Sequence, residues 1–248
     1  MNKIIWKNKD SSLIDGLLIS ELPPITKPRM KVKETHIDGV DGSIVEELGY
    51  EAYDKSIKIG LRGKYDIDEV IEYFSGSSQV TFSNEDDKYY NATIVDKIDF
   101  ERLVRFRTAK VKFLVQPYKY PLNMGALSVD TATNLSYVIN NIGNVKSCPK
   151  ITLKGSGLVE IFLDDVSMFT YLFPQGETEV VIDSEKQDAY LGSILKNRNM
   201  NGDFIEFNVG LNTVRWSGAL TEIIFENWSR YLWLRCMNQP RGCLLIMA

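Results

Sequence analysis

Between residues 111 and 123 the chain changes character. Val111, Phe113 and Val115 alternate with Lys112, Leu114 and Gln116, the two-residue period of a half-buried strand. Pro117 and Pro121 then interrupt the run. Neither can donate to a sheet ladder, and each drives the residue before it toward extended backbone. A strand running into a stiff, aromatic, proline-bracketed connector predicts a domain exit, with Pro117 and Pro121 as the interdomain joint. The division places an N-terminal domain at 1–120, a C-terminal domain at 121–232 and an irregular tail at 233–248. At 248 residues the chain is long enough for two ordinary β domains.

Before the joint, residues 13–24 read as an apolar strand stopped by Pro23 and Pro24. Residues 25–53 are polar, interrupted by Pro28 and by the Asp38-Gly39 and Asp41-Gly42 turn signals. They predict either a flexible loop or an arm that orders on a neighbouring subunit, with Pro23, Pro24, Pro28, Asp38, Gly39 and Gly42 as candidate ring-interface residues. Ser56–Arg62 alternates as a strand. One helix is predicted after it. Asp66 is its N-cap and Glu69 completes a capping box; Ile67, Val70, Ile71 and Phe74 form its apolar stripe, and Gly76 ends it. Strands are expected over Gln79–Phe82, Tyr89–Asp99 and Arg102–Val115, with a polar hairpin loop at Asn84–Asp87. The basic run Arg102, Arg105, Arg107, Lys110 and Lys112 reads as the solvated face of those strands, with a phosphate-binding patch as the alternative.

After the joint, turn signals recur every 8–12 residues, the spacing of a β-sandwich or barrel. Strands are expected over 134–142, 150–157, 159–163, 168–173, 179–183, 189–195, 204–209, 212–216 and 220–225, with Gly155-Ser156-Gly157 closing one of them. Trp216 and Trp228 read as core or interface residues, or as rings on which a partner or glycan could stack.

The residues exclude several classes. There are 29 basic and 33 acidic residues, a net charge of −4, and neither half is basic, which argues against sequence-independent nucleic-acid binding. Cys148, Cys236 and Cys243 make no disulfide framework, and no Cys or His spacing fits zinc. No window reaches the ~18 apolar residues of a membrane helix. There is no phosphate loop, dinucleotide fingerprint or nucleophile elbow. His36 is the sole histidine, set among charged neighbours. Asp86/Asp87 and Asp164/Asp165 fall in predicted turns and do not face one another across a cleft. No catalytic set, metal or cofactor is expected, and the chain reads as a soluble cytoplasmic product.

In order and spacing, four stretches resemble the distal tail (Dit) proteins of siphophages that infect Gram-positive bacteria. They are Gly16–Pro24 with the Asp38–Ser43 turn; Gln116-Pro117-Tyr118; Asn141–Asn144 with Cys148–Gly157; and Ile182–Glu185 followed by Asn201–Phe207, Gly210–Asn212, Trp216–Gly218 and Trp228. The resemblance covers residues 13–232, and the tail at 233–248 has no counterpart in it. It implies a mainly β chain: an N-terminal, tail-tube-like β-sandwich or barrel with one α-helix, and a C-terminal galectin-like β-sandwich without an inserted carbohydrate-binding module. It further implies a homohexameric ring in the virion at the distal end of the tail, assembled in the host cytoplasm, with DNA passing through its lumen. The implied partners are the tail tube protein, a tail-associated lysin or tail fibre protein, and receptor-binding or baseplate proteins. A carbohydrate-binding module for host cell-wall glycans, or a glycan-cleaving enzyme, are the rival classes.

Overall fold

The computed structural model describes residues 2–39 and 41–233. The chain is mainly β, with 54% of the described residues in strands and 9% in helices. It divides into two compact units, one over residues 2–120 with 232 and 233, the other over 121–231.

In the first unit the strands are β1 (Ile4–Trp6), β2 (Lys9–Asp10), β3 (Leu17–Glu21), β4 (Met30–Thr35), β5 (Ile44–Tyr50), β6 (Tyr53–Leu61), β7 (Ser77–Phe82), β8 (Lys88–Thr93) and β9 (Thr108–Pro121). Seven of them make one sheet in the order β2-β1-β7-β8-β9-β6-β3, while β4 and β5 pair only with each other. The core follows from strand alternation: Ile57, Ile59 and Leu61 of β6 and Val111, Phe113 and Val115 of β9 point inward. Trp6 and Phe82 meet Phe113 edge-on at 5.2 and 5.8 Å.

Helix α1 (Ile67–Tyr73) lies where expected, but its details differ. Asp66 accepts from the Asp68 amide at 2.9 Å, and Glu69 pairs with Lys9 at 2.7 Å instead of completing a capping box. Val70, Tyr73 and Phe74 are the buried face, and Ile71 is exposed. A second helix, α2 (Phe100–Phe106), replaces the first part of the strand expected over Arg102–Val115, so the unit has two helices. Asp99 caps it by accepting the Arg102 amide at 2.8 Å, and Arg107 ends it in the left-handed region at φ 59°. Leu103 is its buried residue. The expected strand over Tyr89–Asp99 likewise stops at Thr93.

The second unit holds β10 (Leu127–Asp130), β11 (Ser136–Asn141), β12 (Lys150–Leu163), β13 (Val166–Leu172), β14 (Glu179–Asp183), β15 (Asp188–Leu191), β16 (Ile194–Leu195), β17 (Met200–Gly202) and β18 (Gly210–Glu226). Two long strands organise it. β12 and β18 pair antiparallel from Lys150↔Glu226 to Leu163↔Val214. Each changes its outer partner midway: β12 from β14 to β13, and β18 from β11 to β10. The change coincides with register shifts at Lys154/Gly155 and Ser156/Val159. Bulged long strands that switch sheets are how two β layers are cornered together. Gly155–Gly157 therefore bends one continuous strand where the sequence predicted an end, and the strands expected at 212–216 and 220–225 are likewise one. Residues 204–209 form no strand, although Ile205 and Phe207 are buried in the core.

Candidate assembly surfaces

The polar segment after Pro24 is not an irregular loop. It is an antiparallel β4–β5 hairpin running from Met30↔Tyr50 to Thr35↔Ile44, with a register shift between Lys31 and Val32. Pro23 and Pro24 follow β3, and Pro28 precedes β4, where no ladder amide is required. Asp38, Gly39 and Gly42 lie at the tip, where the glycines adopt φ +80° and +92°. From Lys31 to Leu48 every described residue of the arm is exposed, including Ile37, Ile44, Val45 and Leu48. A two-stranded ribbon with apolar side chains on view buries too little to be stable alone in water. Its root is fixed instead: the Glu51 amide donates to the Arg29 carbonyl at 2.9 Å, and Lys55 Nζ donates to the Pro24 carbonyl at 3.0 Å.

Behind that root lies a buried charge cluster that the sequence reading missed. Glu85, in the β7–β8 turn, is 4% exposed, Lys55 2% and Lys119 1%. Glu85 accepts from Lys119 Nζ through Oε1 and from the Tyr90 hydroxyl through Oε2, and Lys55 Nζ stands 3.9 Å from Oε2. Lys55 also lies 4.9 Å from the centre of the Tyr90 ring. Two cations share one carboxylate. Burial pulls the Lys55 ammonium down to about 8 against the attraction of Glu85, and Lys119 adds to the fall. Burial pushes Tyr53 up to about 12 and raises Tyr90 as well, its hydroxyl being tied up in donation to Glu85. The cluster thus links the arm root, the β7–β8 turn and the last residues of β9. The available signal was parity: Lys55 shares the inward phase of Ile57 and Ile59, and Lys119 that of Val111, Phe113 and Val115.

The other candidate residues fall as follows. Pro117 and Pro121 do not interrupt the strand, because β9 continues to Pro121. The β6 register ends at Tyr53↔Val115, so Pro117 faces no β6 residue needing its missing amide. Trp216 is 6% exposed in the core of the second unit, and Trp228 packs, partly buried, against the same core. Trp216 is thus a core residue, while Trp228 keeps part of its surface exposed. Asp86/Asp87 and Asp164/Asp165 lie in turns. The expected tail lies outside the described residues apart from Trp233. Among the described residues no helix is long and apolar enough to cross a membrane.

No family model and no curated protein matches the sequence. Solved structures do. The Dit protein (gp 19.1) of phage SPP1, described as a paradigm of the hub adsorption apparatus in phages infecting Gram-positive hosts, is 15% identical. It matches over 91% of this chain and 98% of its own, at a TM-score of 0.64. Two structures of the phage p2 baseplate in its activated conformation, with strontium and with calcium, contain chains 10% identical at a TM-score of 0.50. These cover 91% and 92% of this chain and 97% and 98% of their own. Over nine-tenths of its length, this chain has the fold of the phage Dit hub proteins.

Proposed function

We propose that the chain is a structural hub of a siphophage tail. Six copies close into a ring at the distal end, joining the tail tube protein to a tail-associated lysin or tail fibre protein and to receptor-binding or baseplate proteins. The observation that carries this reading is the extent of the likeness: it runs through both units and nearly the whole of a hub protein, not through one common β module. The arm supports it independently. An exposed ribbon with apolar side chains, fixed only at its root, is suited to lie on a neighbouring copy. A structural role also fits a chain whose most perturbed titratable groups lie buried in the fold and not in a cleft. The rival carbohydrate-binding reading is weakened at Trp216, whose ring is buried in the core of the second unit.

The test is the mass of the purified chain by light scattering. Six copies of 28.3 kDa give about 170 kDa, and stacked rings twice that. A mass of 28.3 kDa at every accessible concentration refutes self-closure. Deleting residues 25–50 is expected to abolish the ring while the second unit keeps its cooperative unfolding; an intact ring in that deletion refutes the role of the arm.

A further inference from the structure

Two patches of the first unit carry opposite charge, and neither is fully paired among the described residues. The first is one face of the arm. The register sets Glu34 opposite Val45 and Val32 opposite Glu47, and the pleat puts these four side chains on one face, all exposed. The ion pair between Lys33 and Glu46, at 3.6 Å, belongs to the other face. Residues 34–47 hold five acidic side chains and no Lys or Arg. Glu34 and Glu47 have no cationic partner among the described residues.

The second patch is an open groove of about 710 Å³ bounded by the end of β3, by β6, by the start of α2 and by β9. Lys58, Lys97, Arg102 and Lys110 line it, and all four are exposed. Lys58 and Lys110 stand directly opposite one another across β6 and β9. Like charges in that relation oppose sheet pairing, a cost that no ion pair among the described residues offsets. None of the four pairs with a carboxylate among the described residues. Two acids also line the groove: Asp99, occupied in part by the Arg102 amide, and Glu21. The balance stays positive. Leu22 and Pro24 supply apolar wall.

We propose that the Val32/Glu34/Val45/Glu47 face of one copy's arm seats in the Lys58/Lys110 groove of the next copy; this rests on the ring reading above. The arm is exposed along its length and leaves its own groove open, so the occupant is another copy. Two different complementary patches on one chain make a heterologous contact, which closes into a ring when the rotation permits. Val32 and Val45 then cover Leu22 and Pro24, while the carboxylates meet the opposed lysines and fix register.

The experiment uses the full chain in three forms, with mass read by light scattering at physiological ionic strength: wild type, Lys58→Glu with Lys110→Glu, and Glu34→Lys with Glu47→Lys. The wild type is expected near 170 kDa and each double variant at 28.3 kDa, a sixfold loss of mass. Mixed one to one, the two variants are expected to regain the wild-type mass as an alternating ring, because each basic arm now meets an acidic groove and each acidic arm a basic one. Recovery on mixing also shows that both variants fold. A wild type that assembles while both variants keep its mass overturns the docking but not the ring. Variants that dissociate and do not recover on mixing overturn the charge pairing. A monomeric wild type overturns both.

Discussion

Glu85→Gln isolates the buried cluster, because glutamine keeps the shape of the side chain and removes its charge, while turning one of the two acceptor oxygens into a donor amide that faces Lys119 or Tyr90. It leaves Lys55 and Lys119, both at most 2% exposed, without a counter-ion. Breaking a buried ion pair by removing one partner costs about 3–5 kcal/mol. Part is recoverable, since Lys55 releases its proton at about pH 8 already, and neutralising it at pH 7 costs only about 1.4 kcal/mol. Lys119 carries the rest, so the expected loss is roughly 3 kcal/mol, a large part of the ~5–15 kcal/mol that holds a domain together. Urea unfolding gives the total. Hydrogen exchange over residues 53–61 and 108–120 shows whether the loss is confined to the first unit. Adding Lys119→Met to Glu85→Gln should restore part of the stability, because removing a charge together with its partner leaves fewer uncompensated ions. A loss below about 1 kcal/mol, the range of exposed pairs, refutes the reasoning.

Two further outcomes follow from the same structure. Lys55 binds its proton up to about pH 8 in the folded chain and up to its ordinary 10.5 when unfolded. Between those values the unfolded chain holds the extra proton, so Lys55 contributes stability that rises with pH, by roughly 3 kcal/mol across the window. Lys55→Met should remove that rise, as read from the difference between variant and wild-type unfolding at pH 7.5 and 10; parallel profiles would contradict it. In the second unit, Gly218 adopts φ +98° with the Leu158 carbonyl 2.4 Å from where a Cβ would sit. Gly218→Ala is expected to cost more than about 2 kcal/mol by forcing the β12–β18 corner apart. Calorimetry should show the loss in the second unit only, and an unchanged profile would refute the close packing at that corner.

Local pattern carried much of the architecture. The alternation at Val111, Phe113 and Val115 gave their burial, and Asp66 marked the start of α1. It failed at α2, where Arg102, Val104 and Phe106 alternate with Leu103 and Arg105 in a way that suits a strand as well as a short helix. The Asp99 cap was the signal that distinguished them. It failed again at Gly155–Gly157, because glycine marks a bend as readily as an end, and the choice depends on whether a long partner such as β18 runs past it.

The candidate surfaces divide along the same line. That residues 25–53 stand apart from the core could be read from their charge, prolines and turn signals, although the arm carries Ile37, Ile44, Val45 and Leu48 exposed. That they pair as a hairpin, and that Val32, Glu34, Val45 and Glu47 share one face, depends on a register which turn signals at the tip did not specify. Strand parity marked Lys55 and Lys119 as inward-facing, but no local pattern placed Glu85 beside them. An inward-phase lysine is tolerable only when a counter-charge arrives beside it, and here that charge comes from a turn 30 residues away from one lysine and 34 from the other. Desolvation is local, but its compensation is long-range, so only the folded chain settles which charges go inside.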